Sequence, residues 1–303
     1  MKLKVFFSGL ILLLVLFTGG TLMSQAQTHK WDKTFQKSDR VRIEKVHFKN
    51  RYGIELVGDL YLPKNKLKDK LPGIAISGPF GAVKEQASGL YAQTLAERGF
   101  ITLAFDPSYT GESGGVPRNI ASADINTEDF SAAVDYLSNR NDVDSDKIGI
   151  LGICGFGGFG LNAAAMDTRI KATVTSTMYD MTRVSAKGYF DAMDENARYE
   201  LREKLSNQRT EDFKNGNYAK AAGLPDYYEY YKTSRGFHNR SINSNGNWTQ
   251  TSTLALINMP ILTYSNEIKN AVLILHGEKA HSRYFSEDAF KKLKGDNKEL
   301  YIV

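Results

Sequence analysis

Short apolar runs alternate with helical segments through the middle of the chain, and this rhythm restricts the fold more than any other feature of the sequence. The successive segments cover residues 73–77, 86–98, 100–105, 127–138, 147–153, 155–166 and 170–176. Strands that alternate with helices of this length pair as a parallel sheet, with helices on both faces. The sequence therefore predicts an α/β fold with a mostly parallel central sheet.

The two flanks of this region have different patterns. Before it, two strand-like runs, 41–48 and 54–62, surround a turn at 50–53 and predict an antiparallel hairpin. After it, residues 182–269 form a polar, tyrosine-rich stretch, which we interpret as a mostly helical cap insertion. The insertion is either a packing lid or a cap that faces a substrate. We assign residues 41–303 to one domain that contains this insertion.

The last part of the chain returns to the alternating pattern. A strand at 271–276, a helix at 284–293 and a final apolar run at 300–303 follow one another. A compact fold rarely finishes on a buried strand that no helix covers. We therefore expect the C-terminal end to be truncated, with the natural chain continuing past Val303.

A glycine-rich turn joins the strand at 147–153 to the helix that follows it. The turn has the sequence Gly152-Ile153-Cys154-Gly155-Phe156-Gly157-Gly158 and contains the single cysteine of the chain. A sharp turn of this kind holds its central side chain in a strained conformation at the carboxyl edge of the sheet. The start of the next helix would lie beside the sulfur of Cys154, which predicts a lowered thiol pKa and a stronger nucleophile.

Two other interpretations of this turn are less favoured. An isolated cysteine is often only a small buried hydrophobe, and glycine-rich turns of dinucleotide folds bind phosphate. A dinucleotide site normally uses the first βα turn of its unit, whereas this turn follows the third or a later parallel strand. A structural cysteine would gain nothing from a strained turn. We therefore interpret Cys154 as a nucleophile.

The segment 72–180 resembles the α/β-hydrolase fold, and its cysteine turn is similar to the nucleophile elbow of the dienelactone-hydrolase branch. The resemblance implies that the turn at 77–81 supplies half of an oxyanion hole through Phe80 and Gly81. The backbone N–H of Gly155 would supply the other half. Each amide aimed at a developing oxyanion typically contributes about 3 kcal/mol to acyl transfer. An ordinary glycine turn is the alternative interpretation of residues 77–81.

A thiol nucleophile also needs a base, usually histidine, and a carboxylate that orients the base. Among the five histidines, His281 lies on the loop where the resemblance implies the acid. Glu278 on the same loop and Asp180 after the preceding parallel strand are the candidate acids. The family's histidine would follow the strand that ends at Val303. Three alternatives stay open: the natural chain continues, His281 has been recruited, or the protein is not a hydrolase.

The amino terminus has the features of an export signal. Lys2 and Lys4 precede an uncharged apolar stretch at 5–23, and small residues lead to Ala26. Residues 1–26 are therefore interpreted as a signal peptide and 27–40 as a polar spacer. A stretch of this length is also close to the ~20 residues that span a bilayer, so an uncleaved membrane anchor is the alternative. Either interpretation places the protein outside the cytoplasm, in the periplasm or secreted.

Charge and residue types limit the possible partners. The net charge of +5 arises from 39 basic and 34 acidic residues that are scattered along the chain, which disfavours nucleic acid as a partner. No paired histidines and carboxylates at metal-ligand spacing occur, and no dissociable cofactor is implied. The sequence predicts a hydrolase that acts on a small-molecule ester, thioester or lactone through an acyl-Cys154 intermediate. An acyltransferase on the same scaffold and a non-catalytic binding protein are the alternatives.

Overall fold

The computed structural model describes residues 31–65, 69–221 and 225–303. Contacts divide the chain into Met1–Trp31 and Asp32–Val303, and every element below lies in the second unit. Its strands are β1 (Val41–Lys49), β2 (Glu55–Pro63), β3 (Leu71–Ser77), β4 (Ile101–Phe105), β5 (Val143–Ile153), β6 (Ile170–Ser176), β7 (Lys220–Ala221), β8 (Trp248–Thr249), β9 (Ala271–His276) and β10 (Lys298–Ile302). Its helices are α1 (Ala87–Ala96), α2 (Ala123–Ser138), α3 (Gly155–Met166), α4 (Met181–Lys187), α5 (Glu195–Asn215), α6 (Tyr228–Tyr231), α7 (Ile242–Asn245), α8 (Leu254–Ile257) and α9 (Arg283–Lys292).

Eight of the strands form one sheet in the order β1-β2-β4-β3-β5-β6-β9-β10. β1 and β2 form the opening antiparallel hairpin, and β2 also runs antiparallel to β4. All remaining neighbours in this sheet are parallel. The prediction of a mostly parallel central sheet is therefore confirmed. In such a sheet the carboxyl ends of the parallel strands meet at one edge, where the turns that follow β3, β5 and β6 come together.

The sheet buries apolar side chains on both of its faces. Strand β5 shows this most directly, because Ile148 and Ile150 join the cluster that contains α2 and α3. Leu151 and Ile153 alternate with them and join the cluster that contains α1. Each fully buried aliphatic side chain contributes roughly 1.5–3 kcal/mol of transfer free energy. Strand β5 is therefore packed against helices on both faces. Cys154 directly follows this strand.

The stretch 182–269 consists mainly of short helices and one long one. It contains most of α4, helices α5 to α8 and a small antiparallel sheet of β7 and β8. Helix α5 begins after Asp194, whose carboxylate accepts the N–H of Ala197 at 2.8 Å. It ends at Gly216, which has a φ of 62° and so caps the helix in the left-handed conformation.

The final apolar run of the sequence forms strand β10. β10 is the edge strand of the sheet beside β9, and its side chains alternate between half-buried and exposed. Leu300 packs against the core, whereas Tyr301 is 54% exposed. Within the described residues, β10 pairs with β9 alone, and the expectation that the natural chain continues past Val303 stays a prediction. An apolar run of four residues does not reveal whether a strand has neighbours on both sides.

The export segment predicted at 1–26 lies outside the described residues, as does the start of the spacer at 27–40. In the part of the chain that is described, no helix has the length and apolar character needed to cross a bilayer.

Candidate active site

Cys154 occupies the turn between β5 and α3. Ile153 is the last residue of β5 and Gly155 the first of α3, and Cys154 between them has φ 56° and ψ −125°. A side chain at positive φ costs about 1–3 kcal/mol, and such strained residues cluster at functional sites. The predicted strand-to-helix turn is therefore present in the structure, with the sulfur at the carboxyl edge of the sheet.

Glycine is required on both sides of Cys154 because other chain segments approach closely. A Cβ at Gly152 would lie 2.2 Å from the carbonyl oxygen of Phe156, and one at Gly155 would lie 2.8 Å from the Cβ of Phe80. Phe156, two residues after Cys154, is buried in the core. The absent side chain at Gly155 thus allows the turn around Phe80 to reach the sulfur.

Two backbone amides point at the sulfur. The N–H groups of Phe80 and Gly155 both donate hydrogen bonds to Sγ of Cys154. The structure therefore brings together three residues that the sequence singles out. Gly81 has a different part: its φ is 84°, and its carbonyl oxygen accepts the N–H of Asn243 and the hydroxyl of Ser241.

The thiol of Cys154 is not acidified. Burial raises the pKa of the Cys154 thiol above its ordinary value, and the hydrogen bonds from Gly155 and Phe80 offset this only in part. The expectation that the start of α3 would lower this pKa is therefore wrong. Loss of hydration disfavours the thiolate more strongly here than nearby amide dipoles favour it. A reaction at the sulfur then needs a base that removes the thiol proton.

Alkylation of Cys154 by iodoacetamide should therefore be slower near neutral pH than alkylation of a small free thiol such as glutathione. The rate should keep rising as the pH passes the ordinary thiol range, because only the thiolate reacts. Mass spectrometry gives the rate without ambiguity, since the chain has one cysteine, and the Cys154→Ser chain provides the unlabelled control. Labelling that outpaces glutathione near pH 7 would contradict the raised pKa.

The insertion holds the turn that carries the Phe80 amide. The side-chain N–H of Asn243 donates to the carbonyl oxygen of Phe80 at 2.7 Å, and the backbone N–H of Asn243 donates to Gly81 at 3.1 Å. The ring of Phe80 stacks on Trp248, with centroids 4.4 Å apart and an interplanar angle of 16°. A Cβ on Gly81 would lie 2.3 Å from Oδ1 of Asn243. Helix α7 and strand β8 therefore fix the direction in which the Phe80 N–H points.

Replacing Asn243 with alanine should lower kcat about 10-fold or more, with a smaller change in KM. Without its bond to Asn243, the Phe80 turn no longer holds one of the two amides that face the sulfur in a fixed direction. Complete loss of such a donor typically lowers kcat by about 10²–10³-fold. The matched control is Asn245→Ala, because Asn245 is exposed and its side chain donates only within the insertion, to Asn239 and Ser241. A higher KM at unchanged kcat would show that Asn243 affects binding alone.

His281 lies next to a tyrosine of the site. Nε2 of His281 is 2.5 Å from the hydroxyl of Tyr179, which is also 3.1 Å from the hydroxyl of Tyr227. Both tyrosines line the cavity that contains Cys154. Tyr179 follows β6 at the carboxyl edge of the sheet, and its N–H donates to the carbonyl oxygen of Cys154 at 3.0 Å. Sequence reasoning missed Tyr179, although its place just after a parallel strand is a usable signal.

The two candidate acids occupy other positions. Oδ1 of Asp180 accepts the N–H groups of Thr182 and Arg183, so Asp180 caps α4. Glu278 is exposed, and its backbone N–H donates to the carbonyl oxygen of Val303. Within the described residues, no contact joins either carboxylate to His281. The roles of Asp180 and Glu278 in a triad stay predictions.

A cavity of about 450 Å³ opens at the sulfur. Six of its lining residues are aromatic, and they come from the turn after β3, the turn after β6 and the insertion: Phe80, Tyr179, Tyr189, Tyr227, Tyr231 and Trp248. Residues of the insertion thus face the same space as Cys154. A concave, largely apolar space with a few polar groups is the usual form of a small-molecule site.

A buried group of charged side chains includes Lys84 and Glu85, which follow the Phe80 turn in the chain. Nζ of Lys84 is 2.8 Å from Glu85 and 3.0 Å from Asp106, and it also pairs with Glu112 at 2.5 Å. Arg240 from the insertion pairs with Glu85 at 2.7 Å. Lys84, Glu85 and Asp106 are each nearly inaccessible to water. No cluster of histidine, cysteine or acidic side chains in the described part of the chain is arranged to hold a metal ion.

Comparisons with known proteins identify the family and the fold of this chain. The model of the dienelactone hydrolase family matches residues 56–181. Protein PA2218 of Pseudomonas aeruginosa is 57% identical over 298 residues, covering 94% of this chain and 80% of that protein. Its crystal structure superposes with a TM-score of 0.88 over 91% of this chain and 89% of that one. YcjY of Escherichia coli K12 is 34% identical over 86% of this chain and 89% of its own length.

A more distant structure shows the same fold. The α/β-hydrolase GrgF from a Penicillium species has a TM-score of 0.69 at 20% identity, over 86% of this chain and 89% of its own. The likeness at this identity concerns the arrangement of sheet and helices. Taken with the family match and the two similar bacterial proteins, it leads to one assignment: the chain belongs to the dienelactone hydrolase family and has the α/β-hydrolase fold.

Proposed function

We propose that this protein hydrolyses an ester, thioester or lactone through an acyl intermediate on Cys154. Its family and its structural neighbours support a hydrolase on an α/β scaffold. The observation that carries the cysteine mechanism is the pair of N–H groups, from Phe80 and Gly155, that converge on the sulfur. A carbonyl carbon attacked by this sulfur has its oxygen next to the same two donors, as an oxyanion hole requires.

The proposed reaction has two halves. The sulfur of Cys154, deprotonated by a base, attacks the carbonyl carbon and forms a C–S bond, and the amides of Phe80 and Gly155 stabilise the resulting oxyanion. The bond to the alcohol or thiol leaving group breaks, and the leaving group takes a proton. Water then attacks the thioester, the C–S bond breaks, and the free thiol and the carboxylic acid are formed.

His281 is the base that we assign to this reaction. The hydroxyl of Tyr179 lines the same cavity as Cys154, and we assign a route in which the thiol proton passes to Tyr179 while Tyr179 passes its own proton to Nε2 of His281. Burial raises the pKa of Tyr179, which keeps this tyrosine neutral and able to act as both donor and acceptor. Sequence position alone gives no reason to connect His281 with Tyr179.

Replacing His281 with alanine should lower ester turnover roughly 100-fold, in keeping with the usual contribution of a general base. Tyr179→Phe should lower turnover too, because phenylalanine cannot relay a proton. His47→Ala is the matched control, since His47 lies on the opening hairpin and is half exposed. If His281→Ala retains the activity of the unaltered chain, the base is a different residue.

A direct test traps the acyl-enzyme. The chain is mixed with p-nitrophenyl acetate, quenched in acid and analysed by mass spectrometry for one acetyl group on Cys154. The proposal expects this adduct together with a burst of nitrophenol. Absence of any adduct on a folded chain would contradict the acyl-cysteine mechanism and favour a binding protein. Transfer of the acetyl group to an added amine or alcohol in preference to water would identify an acyltransferase.

A further inference from the structure

We infer that the cavity at Cys154 selects an uncharged acyl group that carries a planar ring. This inference rests on the proposed function, because it treats the cavity as the place where the acyl part of the substrate lies. It is carried by the size of the cavity, its aromatic lining and the absence of charged side chains from that lining among the described residues.

The lining of the cavity has no charged side chain among the described residues. It consists of aromatic and aliphatic groups with a few neutral polar ones such as Asn243 and Gln250. A carboxylate or ammonium group bound there would lose its hydration without gaining a counter-ion, which is strongly unfavourable. The nearby buried charges of Lys84 and Glu85 are paired with one another. The site therefore favours a neutral acyl group.

The tyrosines add no charge to the cavity. Their hydroxyls bond to neighbouring side chains: Tyr179 to Tyr227 and His281, and Tyr231 to Asn243. Burial raises the pKa of Tyr227 to about 12 and also raises that of Tyr231. These tyrosines are therefore neutral at physiological pH. They present ring surfaces to the cavity.

The size of the cavity and its aromatic lining together favour an acyl group that carries a ring. A protein cavity of roughly 150 Å³ is enough for one benzene molecule, so about 450 Å³ holds a ring, its linker and the reacting ester. Trp248 lies flat on Phe80 at 4.4 Å, next to the amide that faces the sulfur. Planar side chains arranged in this way provide stacking and edge contacts to an aromatic ligand.

The test separates binding from chemistry by using the Cys154→Ala chain, which cannot form an acyl-enzyme. Calorimetry measures its affinity for methyl 3-phenylpropanoate, for the same ester with a ring carboxylate or a ring trimethylammonium group, and for methyl propanoate. We expect the neutral ring ester to bind tightest, with the ring carboxylate roughly 100-fold weaker or more. In the Cys154→Ala background, Trp248→Ala should weaken the ring ester about 10-fold, whereas Tyr199→Ala, on the exposed face of α5, should not.

Three results would overturn the inference: equal binding of the carboxylate, tighter binding of the trimethylammonium ester, or equal binding of methyl propanoate. The unaltered chain is then assayed for turnover of the neutral ring ester. Binding to the Cys154→Ala chain without turnover by the unaltered chain would support the cavity assignment and count against the acyl-cysteine mechanism. The two proposals can therefore fail separately.

Discussion

Cys154→Ala is expected to reduce ester turnover to the uncatalysed background, a loss of roughly 10⁴-fold or more if the sulfur is the nucleophile. The two amides of Phe80 and Gly155 would remain, but no atom would be left for the acyl group to bond to. Cys154→Ser should keep weak activity, since a serine hydroxyl at the same turn can attack once a base removes its proton. Initial rates with p-nitrophenyl acetate, compared among the three chains, provide the measurement.

A glycine at the same position separates the chemistry from the backbone strain. Because Cys154 has a φ of 56°, Cys154→Gly should be as inactive as Cys154→Ala yet more stable to denaturant, by about 1 kcal/mol. Alanine has the same Cβ as cysteine and should not show this gain. If Cys154→Ala retains turnover and folds normally, the proposed mechanism is wrong.

Lys84→Met is expected to destabilise the protein by about 3–5 kcal/mol, because it leaves the buried carboxylate of Asp106 without its cation. Lys84 is fully buried and pairs with Glu85 and Asp106, which are themselves inaccessible. Burial opposes the charge on Lys84, but the carboxylates of Asp106 and Glu85 outweigh it and hold the pKa of Lys84 above its ordinary value. Denaturant unfolding at constant pH provides the free energy.

The matched control for Lys84→Met is Lys45→Met. Lys45 pairs with Glu112 at 2.7 Å, but its side chain is 49% exposed, so its loss should cost less than about 1 kcal/mol. Equal losses for the two variants would show that the buried pairs are not stabilising relative to methionine. Such a result is known for buried ion pairs that apolar residues can replace.

Acid should weaken the ion pairs of Glu112 with Lys45 and Lys84 in the unaltered protein. Burial acts to raise the pKa of Glu112, but hydrogen bonds from Lys45 and Lys84 outweigh it and hold the value at about 2. Since this folded pKa lies below the unfolded value, the stabilisation is present above about pH 4.3 and is lost as the pH falls toward 2.

Local patterns in the sequence were sufficient to predict the sheet and the strand-to-helix turn at Cys154. Each strand of the parallel region is a short apolar run, and Cys154 lies between such a run and a helix, so neither prediction needed knowledge of distant residues. The start of helix α2 shows that local patterns locate the ends of an element less accurately. It begins at Ala123, four residues before the predicted start, because Ser122 accepts the N–H of Ile125.

Properties that depend on distant neighbours could not be predicted in this way. The bond from Asn243 to Phe80 spans 163 residues, and the pairing of Arg240 with Glu85 likewise joins the insertion to the segment between β3 and α1. The pKa of Cys154 follows from burial by residues far away in the chain, so the local argument from the helix start gave the wrong direction.

The neutral thiol of Cys154 also bears on how long such a catalyst survives in the presence of oxidants. Peroxides attack the thiolate and not the thiol, and a sulfenic acid is rescued most readily when a second cysteine can form a disulfide with it. This chain has no second cysteine. In the proposed mechanism, a raised pKa therefore protects the one sulfur between turnovers but requires a base during each of them. We expect inactivation by hydrogen peroxide to be slow at neutral pH and to accelerate as the pH rises.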